Sequence, residues 1–400
     1  MLRSATEYYL LVLLGIFTIP YLIWRFCKTD GYAPLVVVQI IAGVALGPGV
    51  FGYLFPNAYT SIFSPDVITM MAGVATWAVV LFVSTAGLEI DTHISKSEFK
   101  ETVSTALFAL FTPLIISLPI GHLLSRGDRW MGENASEWQF VLSIGMAMSV
   151  TALPILVLLL DKMNILKSDM GIRALRYASF DDIAIWTVFA IILLDWGRVT
   201  RQVAFFIFYV AAFVLIRKLF VKLKQEDRFP AFLIWIIVCA LGADWSGLHY
   251  LVGGFLAGLA IDEKLIGHEV AANFRKYVLL LVMPVFFLNT GLKTDWEINN
   301  PTIIIIAIGL FAIQAFGKIL GIKFASIFNK WDGRDAITIG WLLQTKALIE
   351  IIFCTIMLDK GIITGQMFTA LLFMAIISTT VTTPIVSRRL ATAAIQKHFI

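Results

Sequence analysis

Tyr177-Ala-Ser-Phe-Asp-Asp-Ile-Ala-Ile-Trp-Thr-Val-Phe-Ala-Ile-Ile-Leu-Leu194 decides how this chain is read. The stretch is apolar and long enough for a membrane-spanning helix, yet Asp181 and Asp182 interrupt it. A carboxylate near the centre of a bilayer costs about 2.5–3.5 kcal/mol on insertion scales, so two neighbours imply a task that needs them. Two adjacent carboxylates in apolar surroundings are hard to keep ionised together, and a proton or a cation at their oxygens relieves that cost. A group that holds H⁺ or a metal cation, but not both, turns this competition into exchange. The plain alternative is an Asp that faces a water-filled funnel and does nothing.

Composition sets the class around this stretch. The chain has 400 residues, 59% hydrophobic and 14% charged, against about 25% charged in a soluble domain. It reads as an all-α polytopic membrane protein. The formal net charge of +4 comes from basic residues at the ends of apolar segments, with no stripe suited to nucleic acid. Cys27, Cys239 and Cys354 are isolated, which excludes a disulfide framework or a paired-cysteine metal site. The N-terminal apolar run lacks a small-residue cleavage site and is taken as the first span.

Hydropathy predicts about thirteen spans, at 7–24, 33–55, 67–88, 99–124, 138–160, 170–194, 202–220, 229–244, 246–262, 276–292, 302–328, 335–358 and 363–387. Loops after odd-numbered spans and the C-terminal tail hold twenty of the 31 Lys and Arg residues, and the opposite side holds seven. This asymmetry places the N-terminus outside and the C-terminus in the cytoplasm. No stretch suits a soluble regulatory domain.

An internal repeat runs through the spans. Leu81-Phe-Val-Ser-Thr-Ala-Gly-Leu-Glu-Ile-Asp91 aligns with Val285-Phe-Phe-Leu-Asn-Thr-Gly-Leu-Lys-Thr-Asp295 at an offset of 204. Gly43-x-x-x-Gly47 answers Gly254-x-x-x-Gly258, and Thr151-Ala-Leu-Pro154 answers Thr345-Lys-Ala-Leu348. The matched spans lie an odd number apart, so the copies face opposite ways, as in inverted-repeat secondary transporters. The expected organisation is one transmembrane unit over 1–400: a first repeat at 1–195, a linking span and basic loop at 196–228, and a second, inverted repeat at 229–400.

Further candidates are polar residues inside spans. Lys318, in Gln314-Ala-Phe-Gly-Lys-Ile-Leu-Gly321, needs a counter-charge, for which an intramembrane Asp is the obvious choice; snorkelling to the membrane edge is the bland reading. Ser149-Val-Thr-Ala-Leu-Pro154 breaks the fifth span, freeing carbonyls that can bind cations, or else it is a plain proline kink. Gln344, Thr345, Lys346 and Glu350 interrupt the twelfth span at the matching place, and Lys346 with Glu350 at i, i+4 also suits a structural ion pair. The Gly-x-x-x-Gly elements, including Gly317-x-x-x-Gly321, are expected to permit close helix packing. Glu89, Asp91, Lys293 and Asp295 sit at span ends and should be solvated, and His249 should open a helix. No nucleotide loop, zinc motif or nucleophile–base set is present in the sequence.

Taken in order, Ala45-Leu-Gly-Pro-Gly-Val-Phe-Gly52, Ala86-Gly-Leu-Glu-Ile-Asp91, Ser149-Val-Thr-Ala-Leu-Pro154, Phe180-Asp-Asp182, Pro284-Val-Phe-Phe287 with Thr290-Gly-Leu-Lys293, and Gln344-Thr-Lys-Ala-Leu-Ile-Glu350 carry a resemblance. The chain resembles the second branch of the monovalent cation/proton antiporters, which holds the NapA-like, Kef-like and plant cation/proton exchanger proteins. The resemblance implies an NhaA/NapA-like fold with crossed discontinuous helices, a core domain and a dimerisation domain. It implies Asp182 as the main ion-binding carboxylate, with Asp181 paired to Lys318 when no ion is bound, and electrogenic exchange. The Arg that many relatives carry shortly after the Thr-x-x-Pro element is absent from Ile155-Leu-Val-Leu-Leu-Leu160.

The reading that follows is a secondary transporter, not an enzyme, which exchanges cytoplasmic Na⁺ (or K⁺ or Li⁺) for external H⁺ by alternating access. Ion and proton binding is assigned to Asp182, Asp181 and Thr151, with Lys318 as charge partner and a monovalent cation as the metal at Asp182. Ser149, Pro154, Gln344, Thr345, Lys346 and Glu350 support the interrupted helices. No cofactor or nucleic-acid partner is expected. The expected setting is a homodimer in the lipid bilayer of the cell inner membrane, serving pH homeostasis. The rivals are a cation channel or cation sensor of the same fold and, remotely, an intramembrane aspartyl protease. Neighbours on one helix diverge by about 100°, which argues against a shared-water dyad.

Overall fold

The chain is described from a computed structural model over residues 4–29, 34–88, 96–127, 129–193, 199–295, 301–331 and 333–398. Its first part contains α1 (Ala5–Phe26), α2 (Leu35–Leu46), α3 (Pro56–Ile62), α4 (Pro65–Leu88) and α5 (Lys96–Ser125). There follow α6 (Glu137–Ser149), α7 (Leu153–Lys162), α8 (Asp169–Ile192) and α9 (Val199–Lys222). Next come α10 (Gln225–Ser246), α11 (Tyr250–Ala260), α12 (Glu263–Ile266), α13 (His268–Tyr277) and α14 (Met283–Leu292). The last are α15 (Thr302–Asn329), α16 (Gly333–Leu342), α17 (Leu348–Asp359) and α18 (Gly365–His398). Among the described residues the only extended pairing outside these helices is the bridge between Met131 and Ile363.

The all-helical expectation holds. Among the described residues, ten helical segments are long and apolar enough to cross a membrane. The other three expected spans fall on helices that differ for identifiable reasons. The one at 170–194 is α8, which carries Arg173, Arg176, Asp181 and Asp182. The one at 246–262 contains the short α11, opened by His249, whose Nδ1 accepts from the Leu251 N–H at 3.4 Å. The one at 335–358 is split into α16 and α17.

Two compact units emerge. The first comprises Met1–Ile68, Ile94–Asp182 and Phe287–Ile400; the second comprises Thr69–His93 and Ile183–Phe286. In the first, Leu153, Leu156, Leu159 and Leu160 of α7 share one buried cluster with Ala174, Tyr177 and Ala178 of α8, joined among others by Ile339, Leu342 and Leu343. In the second, Phe205, Ala243 and Leu248 form a smaller core.

Glycine sets the helix contacts because backbone can approach backbone only where no Cβ intervenes. Within the first unit, Gly47, the extended residue that caps the end of α2, abuts Gly291 of α14, and Gly317 and Gly321 of α15 admit Pro113 and Phe108 of α5. Within the second unit, Gly258 of α11 abuts Gly87 of α4. Exchanging each residue for its partner in the sequence repeat converts the Gly47–Gly291 contact into the Gly258–Gly87 contact.

Charges at span ends are placed as follows. Lys293 pairs with Asp359 at 2.6 Å, both partly exposed. The Asp295 N–H donates to Thr369 Oγ1. Glu89 and Asp91 lie outside the described residues.

A Cβ at Gly258 would come within 2.9 Å of the Leu88 nitrogen and 3.0 Å of the Gly87 Cα. Gly258→Val and Gly47→Val should therefore each destabilise the protein by about 1–3 kcal/mol. Gly73, which has nothing within 4 Å of such a Cβ, supplies the control. Thermal melting in detergent checks this, and a Gly258→Val midpoint equal to that of Gly73→Val would contradict the packing account.

Candidate functional site

The fifth and twelfth expected spans are each built from two half-helices. The chain leaves helical geometry after Ser149 and resumes at Leu153; it leaves again after Leu342 and resumes at Leu348. Pro154 stands at the start of α7, where its missing N–H is no loss, so it begins a second helix instead of kinking one. At the other break Ala347 takes φ 92° and ψ −80°, a conformation that costs a residue with a Cβ about 1–3 kcal/mol. Tight packing holds it there: Ala347, Leu348 and Thr345 are fully buried.

Both breaks lie in the first unit, and they touch. The Thr151 hydroxyl donates to the Leu343 carbonyl at 2.8 Å, and the Ala152 N–H donates to the Thr345 carbonyl at 2.8 Å. A helix end leaves carbonyls without intrahelical donors, which in a membrane interior must be satisfied by protein groups. At the α16 end neutral groups do this. Besides the two bonds across the breaks, Ser378 Oγ donates to the Gln344 carbonyl at 2.7 Å. The Lys346 N–H in turn donates to Thr379 Oγ1 at 3.1 Å.

The α6 end is satisfied by two ammonium groups. Lys318 Nζ donates to the Ser149 carbonyl at 2.5 Å, and Lys346 Nζ donates to the Ala147 and Val150 carbonyls at 2.6 and 2.9 Å. Positive charge belongs at a helix C-terminus, where the peptide dipoles sum to a partial negative charge. Lys318 also donates to Asp181 Oδ2 at 2.7 Å, with both side chains 2% exposed. It does not snorkel. Lys346 lies 3.5 Å from Glu350, also 2% exposed. Glu350 sits in the first turn of α17, where a carboxylate meets the positive end of a helix.

Asp182 is fully buried next to Asp181 on α8. Ser149 places its hydroxyl on the Gly145 carbonyl, so it contributes its own carbonyl, not its side chain, to Lys318. Gln344 donates to the Ala315 carbonyl and accepts from Gln314. Thr345 turns its hydroxyl to the Leu342 carbonyl. Lys318, Lys346, Ser149 and Asp181 thus form one connected cluster with Glu350. Thr151, Gln344 and Thr345 hold the breaks together.

Sequence reasoning missed Gln314, Ser378 and Thr379, which brace the second break. The run Ser378-Thr379-Thr380-Val-Thr382-Thr383 inside an apolar helix was the available signal. It also missed a second polar feature, a cavity of about 430 Å³ lined by Glu98, Glu101, Asp169, Arg173, Arg176 and Lys330 among others. There Arg173 pairs with Glu101 at 2.9 Å, Arg176 with Glu98 at 2.8 Å, and the Arg173 guanidinium lies 4.0 Å above the Trp331 ring. Tyr177 donates to Glu101 and stacks on Trp331. Residues 173, 177 and 181 are spaced i, i+4, i+8, so one face of α8 runs from this cavity to Asp181.

Buried acids and lysines gathered where two spanning helices are interrupted mark a membrane transporter of small ions. The known proteins that this chain is similar to agree with that class. The chain belongs to the transmembrane sodium/hydrogen exchanger family, whose profile matches residues 12–391. It is 26% identical to the Na(+)/H(+) antiporter NhaS4 of Synechocystis over 88% of this chain and 90% of that protein. It is 27% identical to the cation/H(+) antiporter 18 of Arabidopsis thaliana over 88% of this chain, but it spans only 45% of that longer protein. The K(+)/H(+) antiporter 1 of Saccharomyces cerevisiae is 26% identical over 88% of this chain, which spans 43% of that protein. The fold is that of the sodium proton antiporter MjNhaP1 from Methanocaldococcus jannaschii, with a TM-score of 0.65, 12% identity, and coverage of 98% of this chain and 99% of that one. These neighbours are secondary transporters, not enzymes, and the protease alternative falls with that finding.

Removing one member of a buried ion pair leaves an uncompensated charge and costs about 3–5 kcal/mol. Lys318→Gln should therefore destabilise the protein by that amount, and the double variant Asp181→Asn/Lys318→Gln should recover most of it. Denaturation midpoints in detergent test the coupling; simple additivity of the two single variants would disprove it.

Proposed function

We propose that this protein is a monovalent cation/proton antiporter that exchanges cytoplasmic Na⁺, K⁺ or Li⁺ for external H⁺, with Asp182 and Asp181 as the ion-binding carboxylates. The observation that carries the assignment is the buried Lys318–Asp181 pair on the residue adjoining Asp182, at the end of a half-helix. Asp181, Asp182 and Glu350 together hold three formal negative charges, and Lys318 and Lys346 hold two positive ones. While Lys318 stays charged, one proton or one monovalent cation brings these five groups to neutrality, which makes the two natural competitors for one place.

Lys318 supplies a second exchangeable charge. A cation that engages Asp181 and Asp182 displaces the Lys318 ammonium from Asp181, and Lys318 then releases its proton. When the cation leaves, one proton returns to Asp182 and one to Lys318, whose pairing with Asp181 is restored. Two protons then move for each cation, and the cycle is electrogenic. Each net charge draws about 2.3 kcal/mol from a 100 mV potential, enough to expel a cation against a modest gradient.

Alternating access is assigned to an inverted-repeat transporter, a reading supported by the exchangeable Gly47–Gly291 and Gly258–Gly87 contacts. The Lys and Arg asymmetry favours an external N-terminus and a cytoplasmic C-terminus, which puts the cavity around Arg173 and Glu101 at the cytoplasmic mouth. A homodimer in a cell inner membrane is the proposed setting. The relatives named above are antiporters, which favours exchange over the channel or sensor reading.

Proteoliposomes with an internal pH-sensitive dye should show Na⁺-, K⁺- or Li⁺-dependent proton movement that is lost in Asp182→Asn. Because protons and cations compete, the apparent KM for the cation should rise as pH falls. A pH-independent KM, or full activity in Asp182→Asn, would remove Asp182 from the site. Charge movement on a solid-supported membrane should vanish in Lys318→Gln while dye-detected exchange persists; retained charge movement would refute the role given to Lys318.

A further inference from the structure

Within the first unit, the helix that carries the acids and the helix that carries the lysine meet a second time. Asp181 and Asp182 belong to α8, and Lys318 belongs to α15. One to two turns before Asp181, about 6–12 Å along the helix axis, Arg173 and Tyr177 both lie against the ring of Trp331, just beyond the end of α15. The Arg173 guanidinium stands 4.0 Å from the ring centroid, and Tyr177 stacks on the ring at 6.0 Å with 11° between the planes. Trp331 is tied to its own helix by its backbone N–H, which donates to the Ser326 carbonyl. Its indole N–H makes no hydrogen bond among the described residues, so the ring face is what this residue contributes. Helix α5 backs both sides of the contact. Glu101 accepts from Tyr177 and pairs with Arg173, while Ser104 and Thr105 accept from the Asn329 amide at the end of α15. A partly exposed pair such as Arg173–Glu101 holds little alone. A guanidinium and a second aromatic ring on one indole hold more, through the ring's quadrupole and its buried area.

We propose that Trp331 is a positioning residue for ion binding: with Arg173 and Tyr177 it clamps α8 to α15 and so sets how tightly Lys318 holds Asp181. The inference deepens the exchange reading of that pair and rests on it. Asp181 and Asp182 ride on one helix, so a drift of α8 against α15 leaves the two carboxylates together. The Lys318–Asp181 contact crosses between the helices and takes up the whole of the drift. A cation must break this contact in order to bind. A tight clamp therefore raises the cation concentration needed for exchange, and it rebuilds the pair once the cation has left.

Cation-driven proton movement of the full chain in proteoliposomes tests the clamp. Trp331→Leu removes the ring face and should lower the apparent KM for the cation at least threefold without raising kcat. Trp331→Phe keeps an aromatic face and should stay within twofold of the wild type. In the Lys318→Gln background, where no pair remains, Trp331→Leu should leave KM unchanged. A ring that merely supports the fold would lower kcat and the melting midpoint and leave KM alone. An unchanged KM in Trp331→Leu, or a fall that persists beside Lys318→Gln, would overturn the proposal. Stability gives a readout independent of transport. The non-additivity of Asp181→Asn and Lys318→Gln in detergent melting should shrink at least twofold in the Trp331→Leu background. A wild type without cation-driven proton movement would end the exchange reading, whereas an undiminished non-additivity would by itself overturn the clamp.

Discussion

A helix interrupted inside a membrane strands its last carbonyls where water cannot reach them. This chain has two such interruptions in contact, and the buried polar chemistry of its first unit is arranged around them. The Ala147, Ser149 and Val150 carbonyls take two lysine ammonium groups. The Leu343, Gln344 and Thr345 carbonyls take a threonine hydroxyl, a serine hydroxyl and a backbone N–H. The acids follow from the lysines. Asp181 and Glu350 each stand opposite one of the two ammonium groups, since a buried cation without a counter-charge would be far more costly than a pair.

The two breaks answer each other in the sequence repeat but are not equivalent in chemistry. Thr151-Ala-Leu-Pro154 has no basic residue, whereas Thr345-Lys-Ala-Leu348 has Lys346, which reaches across to the opposite half-helix. All the positive charge therefore gathers at the α6 end, and the α16 end stays neutral. This is a division of labour: one break is a hydrogen-bonded brace, and the other is the charged place. Braced ends give the cluster a fixed geometry, as a site must have if it is to distinguish a bare cation from a proton.

Features that violate the apolar rule were legible in the sequence. Asp181, Asp182, Lys318, Lys346 and Glu350 each interrupt hydrocarbon-like surroundings, and such residues are rare enough there to announce themselves. The glycine spacings were legible too, because glycines repeated four residues apart in an apolar run point to close approach of neighbouring helices. Ser378 and Thr379 did not stand out, since a hydroxyl can always turn to its own helix carbonyl and be satisfied anywhere. The meaning of Pro154 changed because a proline reads alike at a kink and at a helix start; only the run of non-helical residues before it tells them apart. The Arg173–Glu101–Trp331 association joins three elements far apart in sequence, and no local pattern encodes such a meeting.

Two buried ion pairs share this cluster, and their connectivity decides which one can work. Lys346 stands in the break only four residues before Glu350 of α17, so the two are tied by a short stretch of one backbone and no movement of distant helices is needed to keep them together. Lys346 is in addition held by two carbonyls, and its carboxylate is the more distant partner at 3.5 Å. That pair is built to stay. Lys318 and Asp181 stand on different helices, α15 and α8, and among the described residues one carbonyl bond is all that holds the ammonium besides the carboxylate at 2.7 Å. On the exchange reading proposed above, their separation needs only a side-chain swing or a small helix shift, with the neighbouring Asp182 assigned to take up the arriving charge. On that reading, a fixed cation beside a releasable one keeps the α6 end neutralised throughout the cycle. The exchangeable pair can then open without stranding a helix terminus.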